Sequence, residues 1–200
     1  VEENMLVLTV QTRDVVERIL SGEKYTPDFS KSTYAYLSPR FTKAYNKTLK
    51  ELSRKTKKYY TMGVDSCIWG WVGKPFLDFY AIESGSKNSG KYAVFCEIDE
   101  KDLVFSDYDK YSDYIEGYTD SLDFMVSGVS NDACIQCAFW SLSKRNIVSI
   151  VELNSIGIKY RLSDKADYET KTVSDIREQE RVFDVRFKFD GRMAEFCGGM

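Results

Sequence analysis

The chain has 200 residues, of which 43% are hydrophobic, with a formal net charge of −3 and only 3 prolines. That is enough apolar chain to bury one substantial core, so a single globular domain is the expectation. It contains no histidine, which removes Ser-His-Asp, Cys-His and histidine-metal chemistry and leaves any catalysis to carboxylates, Lys, Tyr, Cys or a borrowed cofactor.

In chain order, Met5 to Val10 reads as an apolar strand ending at Gln11. Thr12 then caps a helix whose Val15, Val16, Ile19 and Leu20 share one face, and Gly22 suits a left-handed helix stop. A second helix starts with Ser38 as cap and Pro39 as first helical residue. Phe41, Ala44, Tyr45, Leu49 and Leu52 form its inward stripe. Its other faces carry Arg40, Lys43, Lys47, Lys50, Arg54, Lys55, Lys57 and Lys58 against the single acid Glu51. A basic helix at 40–58 can lie along phosphates. It can equally be a solvated face or balance the acidic stretch from Glu97 to Asp123. Because aromatics do not interleave with its lysines as base stacking requires, nucleic acid is not the expected partner.

Cys67 to Val72 is a strand that puts Trp69 and Trp71 on the same face. Paired tryptophans plug a core or wall a pocket, and Lys74 beside them brings a cation to such a pocket. Tyr92 to Ile98 is apolar on both pleat faces, as expected of a central strand covered on both sides. The short apolar pair Leu103 and Val104 follows, and Ser106-Asp107-Tyr108-Asp109 then caps a helix through Tyr111, Tyr114 and Ile115. One carboxylate suffices for a cap, so Asp107 and Asp109 together are candidate ligand contacts. Ser121 to Val126, Ile135 to Trp140 and Ile147 to Leu153 are further strands, and Gln136 inside the second of these needs a partner for its amide. Cys134 and Cys137 have the spacing of a metal knuckle, but on a strand they point to opposite faces and no second pair completes a site, so no metal is expected. Five cysteines scattered through apolar segments fit reduced thiols in the cytoplasm. No apolar run approaches the roughly 18 residues of a membrane span, so no membrane partner and no export are expected.

Gln11 in LTVQT, Ile68-Trp69-Gly70-Trp71, the run VFCEIDEKDLVFSDYDKYSDYI, and Ile135 to Leu142 followed by Asn146-Ile147-Val148 recur in the same order in another group of proteins. In these motifs the chain resembles an uncharacterised bacterial and phage family, the domain of unknown function numbered 3841. The resemblance covers about Met5 to Leu153. That family tends to carry Lys-Pro-Asp-Leu-Arg after its tryptophan pair, whereas Lys74-Pro75-Phe76-Leu77-Asp78 stands here. The resemblance implies a bacterial or phage origin and marks Gln11, Trp69, Trp71, Lys74, Asp107, Asp109, Gln136 and Trp140 as recurring polar and aromatic positions. It implies no activity and no cofactor.

The expected fold is α+β: one domain over residues 1–153 with a mixed or antiparallel sheet and helices mainly from the N-terminal third, plus a β-rich C-terminal extension, 154–200, packed on it. In the extension, Ile156 to Leu162 and Val182 to Phe189 read as strands. The first functional expectation is a pocket for a small polar ligand such as a nucleotide, formed by Trp69, Trp71 and Trp140 with Gln11, Lys74, Gln136, Asp107 and Asp109. Two alternatives stand beside it. One is an ADP-ribosyltransferase-like enzyme using Glu180 of Glu178-Gln179-Glu180 with Arg13, and the other is a nucleic-acid module using the helix at 40–58. Whether the chain is an enzyme is left open by its sequence.

Overall fold

The computed structural model describes residues 4–31, 38–72, 91–130, 133–154, 157–163 and 171–172. Within them the chain runs β1 (Asn4–Gln11), α1 (Arg13–Leu20), α2 (Pro39–Thr56), β2 (Ile68–Val72), β3 (Tyr92–Asp99), β4 (Val104–Asp107), α3 (Tyr108–Glu116), β5 (Met125–Val126), β6 (Ile135–Phe139), β7 (Ile147–Asn154), β8 (Gly157–Ser163) and β9 (Lys171–Thr172). The strands form one sheet in the order β5-β4-β6-β2-β1-β3-β7-β8-β9, and every pair in it is antiparallel. The class is α+β. β3 is an interior strand, but the middle position belongs to β1, which pairs with β3 along its whole length from Asn4↔Asp99 to Gln11↔Tyr92.

Because side chains alternate across a strand and cross-strand partners share a face, the registers sort the sheet into two sides. One carries Val7, Ile68, Val72, Val94, Cys96, Phe105, Ile135, Cys137 and Phe139, and Val16 and Ile19 of α1 cover it. The other carries Trp69, Val104 and Ala138, and Tyr45, Leu49 and Leu52 of α2 lie on them. Tyr111 and Tyr114 of α3 pack beside Ala44 and Phe124 on that same side. The sheet is thus a middle layer between helices, which accounts for strands apolar on both faces.

The helices begin where their capping residues dictate. Ser38 Oγ accepts from the Phe41 N–H at 3.0 Å with Pro39 just inside α2, and Asp107 Oδ1 accepts from the N–H groups of Asp109 and Lys110 at 3.1 and 3.2 Å at the start of α3. Thr12 precedes α1 in extended backbone but makes no side-chain cap bond. Arg40 ties the two helices of one layer together. Its guanidinium donates to the Tyr114 and Thr119 carbonyls at 3.1 and 2.9 Å, pairs with Asp120, and lies over the Tyr114 ring.

Gly70, between the two tryptophans of β2, sits against Cys137 in register and under β1. A Cβ there would overlap Val7 Cγ1 and stand 3.2 Å from the Leu8 carbonyl oxygen and 3.3 Å from Cys137 Sγ. The Trp-Gly-Trp spacing therefore sets how closely the neighbouring strands pack.

The expected strand Ser121 to Val126 shrinks to the two residues of β5; Thr119 Oγ1 and Ser121 Oγ instead accept from the N–H groups of Ser121 and Asp123, turning the chain before it can extend. β8 matches the first strand expected in the C-terminal segment and continues the sheet beyond β7. The strand expected at Val182 to Phe189 lies outside the described residues.

Candidate ligand-binding site

The three tryptophans share the face covered by α2 and α3, yet each meets different neighbours. Trp140, 8% exposed, donates from Nε1 to Thr56 Oγ1 at 2.8 Å and has Lys58 Nζ 4.2 Å from its ring centroid. Trp69 lies between Tyr45 of α2 and Tyr111 of α3, with ring centroids 6.0 and 5.5 Å away. Both act as core, bonding the sheet to the helix layer. Trp71 alone reaches the end of β2, half-buried, where it meets the Tyr108 ring edge-on at 5.1 Å and 77°. Tyr108 is 38% exposed.

The cross-strand partner of Trp71 is Gln136, and the partner of Gln136 on the far side is Ser106. These residues make one row on one face of β2, β6 and β4. Gln136 is 4% and Ser106 1% exposed, and among the described residues neither Gln136 Nε2 nor Ser106 Oγ has a hydrogen-bond partner. Leaving a buried polar atom unpaired costs about 1–3 kcal/mol, so two on adjacent strands are a feature with an energetic penalty attached. The amide offers two N–H donors and the hydroxyl one donor and two lone pairs, in the same cross-strand row as Trp71.

The remaining expected positions divide. Gln11 lies on the opposite face, one of the alternating positions with Thr9. Its amide donates to Thr9 Oγ1 at 2.8 Å, and Thr9 Oγ1 donates to the Trp69 carbonyl at 2.7 Å, so it braces β1 against β2. Asp107 is the cap of α3, its Oδ1 engaged by two backbone N–H groups, while Asp109 is exposed two residues on, within the first turn. Replacing Asp107 by Ala should cost about 1 kcal/mol as an isolated cap, whereas Asp109→Ala should leave the denaturation midpoint nearly unchanged. Equal losses from both would give the pair a shared structural role. Lys74, Glu178 and Glu180 lie outside the described residues.

Ser106 stands beside Gln136 and Tyr108 against Trp71, although their sequence positions read only as turn and cap. Their place depends on β4 pairing with β6, and four residues of strand carry too little periodicity to announce that partner.

Of the described cysteines, Cys67, Cys96 and Cys137 are buried and Cys134 is partly exposed. Cys67, Cys96, Cys134 and Cys137 are free thiols, and burial raises all four, pushing Cys67 up to about 12; Cys134, the least buried, is also raised by nearby Asp109 and Asp107. No group of three or more His, Cys, Asp or Glu side chains converges among the described residues. A separate groove of about 370 Å³ lies between α2 and the β4–β5 edge, lined by Glu51, Arg54, Lys55, Val104, Phe105 and Met125 among others. None of the three tryptophans lines it.

The basic helix meets its own domain more through aromatic rings than through carboxylates. Lys47, Lys55 and Lys58 stand over Phe124, Phe105 and Trp140, with Nζ 5.8, 5.4 and 4.2 Å from the ring centroids. Arg54 pairs with Glu51 within the helix. Such contacts hold the cationic stems along apolar surface while the heads stay wet.

No family model, curated protein or solved structure matches this chain.

Proposed function

We propose that the chain binds a small polar ligand with a flat face, such as a nucleotide, at the row formed by Trp71, Gln136 and Ser106 under Tyr108. The observation that carries this reading is the pair of unpartnered buried groups, Gln136 Nε2 and Ser106 Oγ, on adjacent strands. A ligand that supplies acceptors to them removes the penalty of leaving them unpaired, while its ring lies against the Trp71 indole. Discrimination follows from the same groups. A ligand lacking the acceptor leaves the amide as unsatisfied as before and gains nothing from it.

Trp71, Gln136 and Asp107 are also among the positions at which the chain resembles the domain of unknown function numbered 3841, and we propose on that resemblance that it belongs to that family. The unbridged thiols support a reducing compartment, the cytoplasm. No helix among the described residues is long and apolar enough to cross a membrane.

The test is a thermal-shift screen with nucleosides, nucleoside phosphates and dinucleotides. A compound binding only the native state raises the midpoint by an amount that grows with its concentration. At least one compound should do so for the natural chain and fail for Trp71→Ala. A hit that stabilises both equally sits elsewhere and sinks the assignment.

A further inference from the structure

At the end of α2 the chain holds three large apolar side chains out in water. Tyr59 is 97% exposed, Met62 64% and Val64 64%. They are not on a fraying end. The Thr61 N–H donates to Asp65 Oδ2 at 2.6 Å, the N–H groups of Val64 and Asp65 both donate to the Thr61 carbonyl, at 3.1 and 2.9 Å, and Gly63 takes the left-handed φ of 79° that closes the turn. Asp65 is thereby engaged by the turn it closes. Single exposed apolar residues are ordinary, but three within six residues, two of them on an ordered turn and Tyr59 just before it, are the kind of surface that contacts a partner.

The approach to this turn is cationic. Lys43 and Lys50 are exposed two turns apart on the outward side of α2, about 10 Å along its axis, and Lys57 continues the row as the cap of the helix. Unlike Lys47, Lys55 and Lys58, none of these three stands over a ring or pairs with a carboxylate among the described residues.

We propose that Tyr59, Met62 and Val64, with Lys43, Lys50 and Lys57, dock the chain on an anionic lipid surface. The charge chooses an anionic partner and excludes a second copy of this face, which would set two lysine rows against each other. The side chains choose between the anionic partners. A single-stranded nucleic acid needs π faces to stack on, and only Tyr59 has one. A bilayer accepts Met62 and Val64 at the acyl boundary, Tyr59 at the headgroup level and the lysines against anionic headgroups. The contact is with the surface and needs no spanning segment.

The full chain should sediment with vesicles of phosphatidylcholine and phosphatidylserine and stay in solution with phosphatidylcholine alone. Each of Lys43→Glu, Lys50→Glu and Lys57→Glu should weaken partitioning by at least about fivefold. Tyr59→Ser with Met62→Ser should weaken it further while the near-ultraviolet dichroism, which reports the folded core, stays that of the natural chain. Sedimentation that survives both sets of changes would overturn the proposal. So would an absence of sedimentation with either vesicle by the folded chain, or capture of a thymidine oligonucleotide in place of the vesicles.

Discussion

Gly70→Ala should lower the stability of the fold by about 3 kcal/mol, the upper end of what overpacking a core costs. At the size of this chain that is a fall of roughly 6–12 °C in the unfolding midpoint. The cause is local. The added methyl overlaps Val7 Cγ1, and the atoms next nearest, the Leu8 carbonyl oxygen and Cys137 Sγ, belong to strands that flank β2 on both sides, so nothing can withdraw without shifting the sheet. Truncating the colliding group should reverse much of this. In the Gly70→Ala, Val7→Ala pair the second change removes the overlap made by the first, and the double variant should be about as stable as Val7→Ala alone. A double variant whose losses simply add would place the strain elsewhere.

Stability should also collapse on the alkaline side. Burial raises the thiols of Cys67, Cys96 and Cys137 and the phenols of Tyr45 and Tyr111 above their ordinary values, which are 9.0 for the thiols and 10.0 for the phenols. Each group is neutral when protonated, so the folded state holds its proton to higher pH than the unfolded chain does. The stabilisation is therefore complete below about pH 9 and is lost as pH rises through the folded value. For Cys67, raised to about 12, the loss between pH 9 and 12 is on the order of 4 kcal/mol. Tyr45 is coupled to it, since its hydroxyl accepts the Cys67 N–H at 2.9 Å and meets Ser66 Oγ. Urea midpoints should be level from pH 7 to 8.5 and fall steeply above, and Cys67→Ala should shallow the fall. A level profile to pH 11 would contradict the burial of these groups.

Much of the fold was legible because its strands are long and its caps are local. Tyr92 to Ile98 announces an interior strand by being apolar on both faces, and Ser38-Pro39 starts α2 by chemistry confined to neighbouring residues. Even the shared face of Trp69 and Trp71 follows from a period of two. Register does not, and the site depends on register. That Gln11 faces away from Gln136 rests on the Leu8↔Trp71 pairing, and that Ser106 joins Gln136 rests on the pairing of β4 with β6. The same limit explains why Gln136 stood out in the sequence while its neighbour did not: a lone amide in an apolar run is visible, whereas a serine before a helix reads as punctuation.

The most direct test of the ligand row is the unfolding midpoint of Gln136→Met, measured with and without the compounds that stabilise the natural chain. Methionine keeps the length and approximate volume of the side chain and removes the unpaired amide. If Gln136 Nε2 is held ready for a ligand, the variant should be more stable than the natural chain when free, by about 1–3 kcal/mol, and should no longer respond to the ligand. A variant that loses stability and still responds in full would show that the amide serves the fold and that the ligand row is not a site.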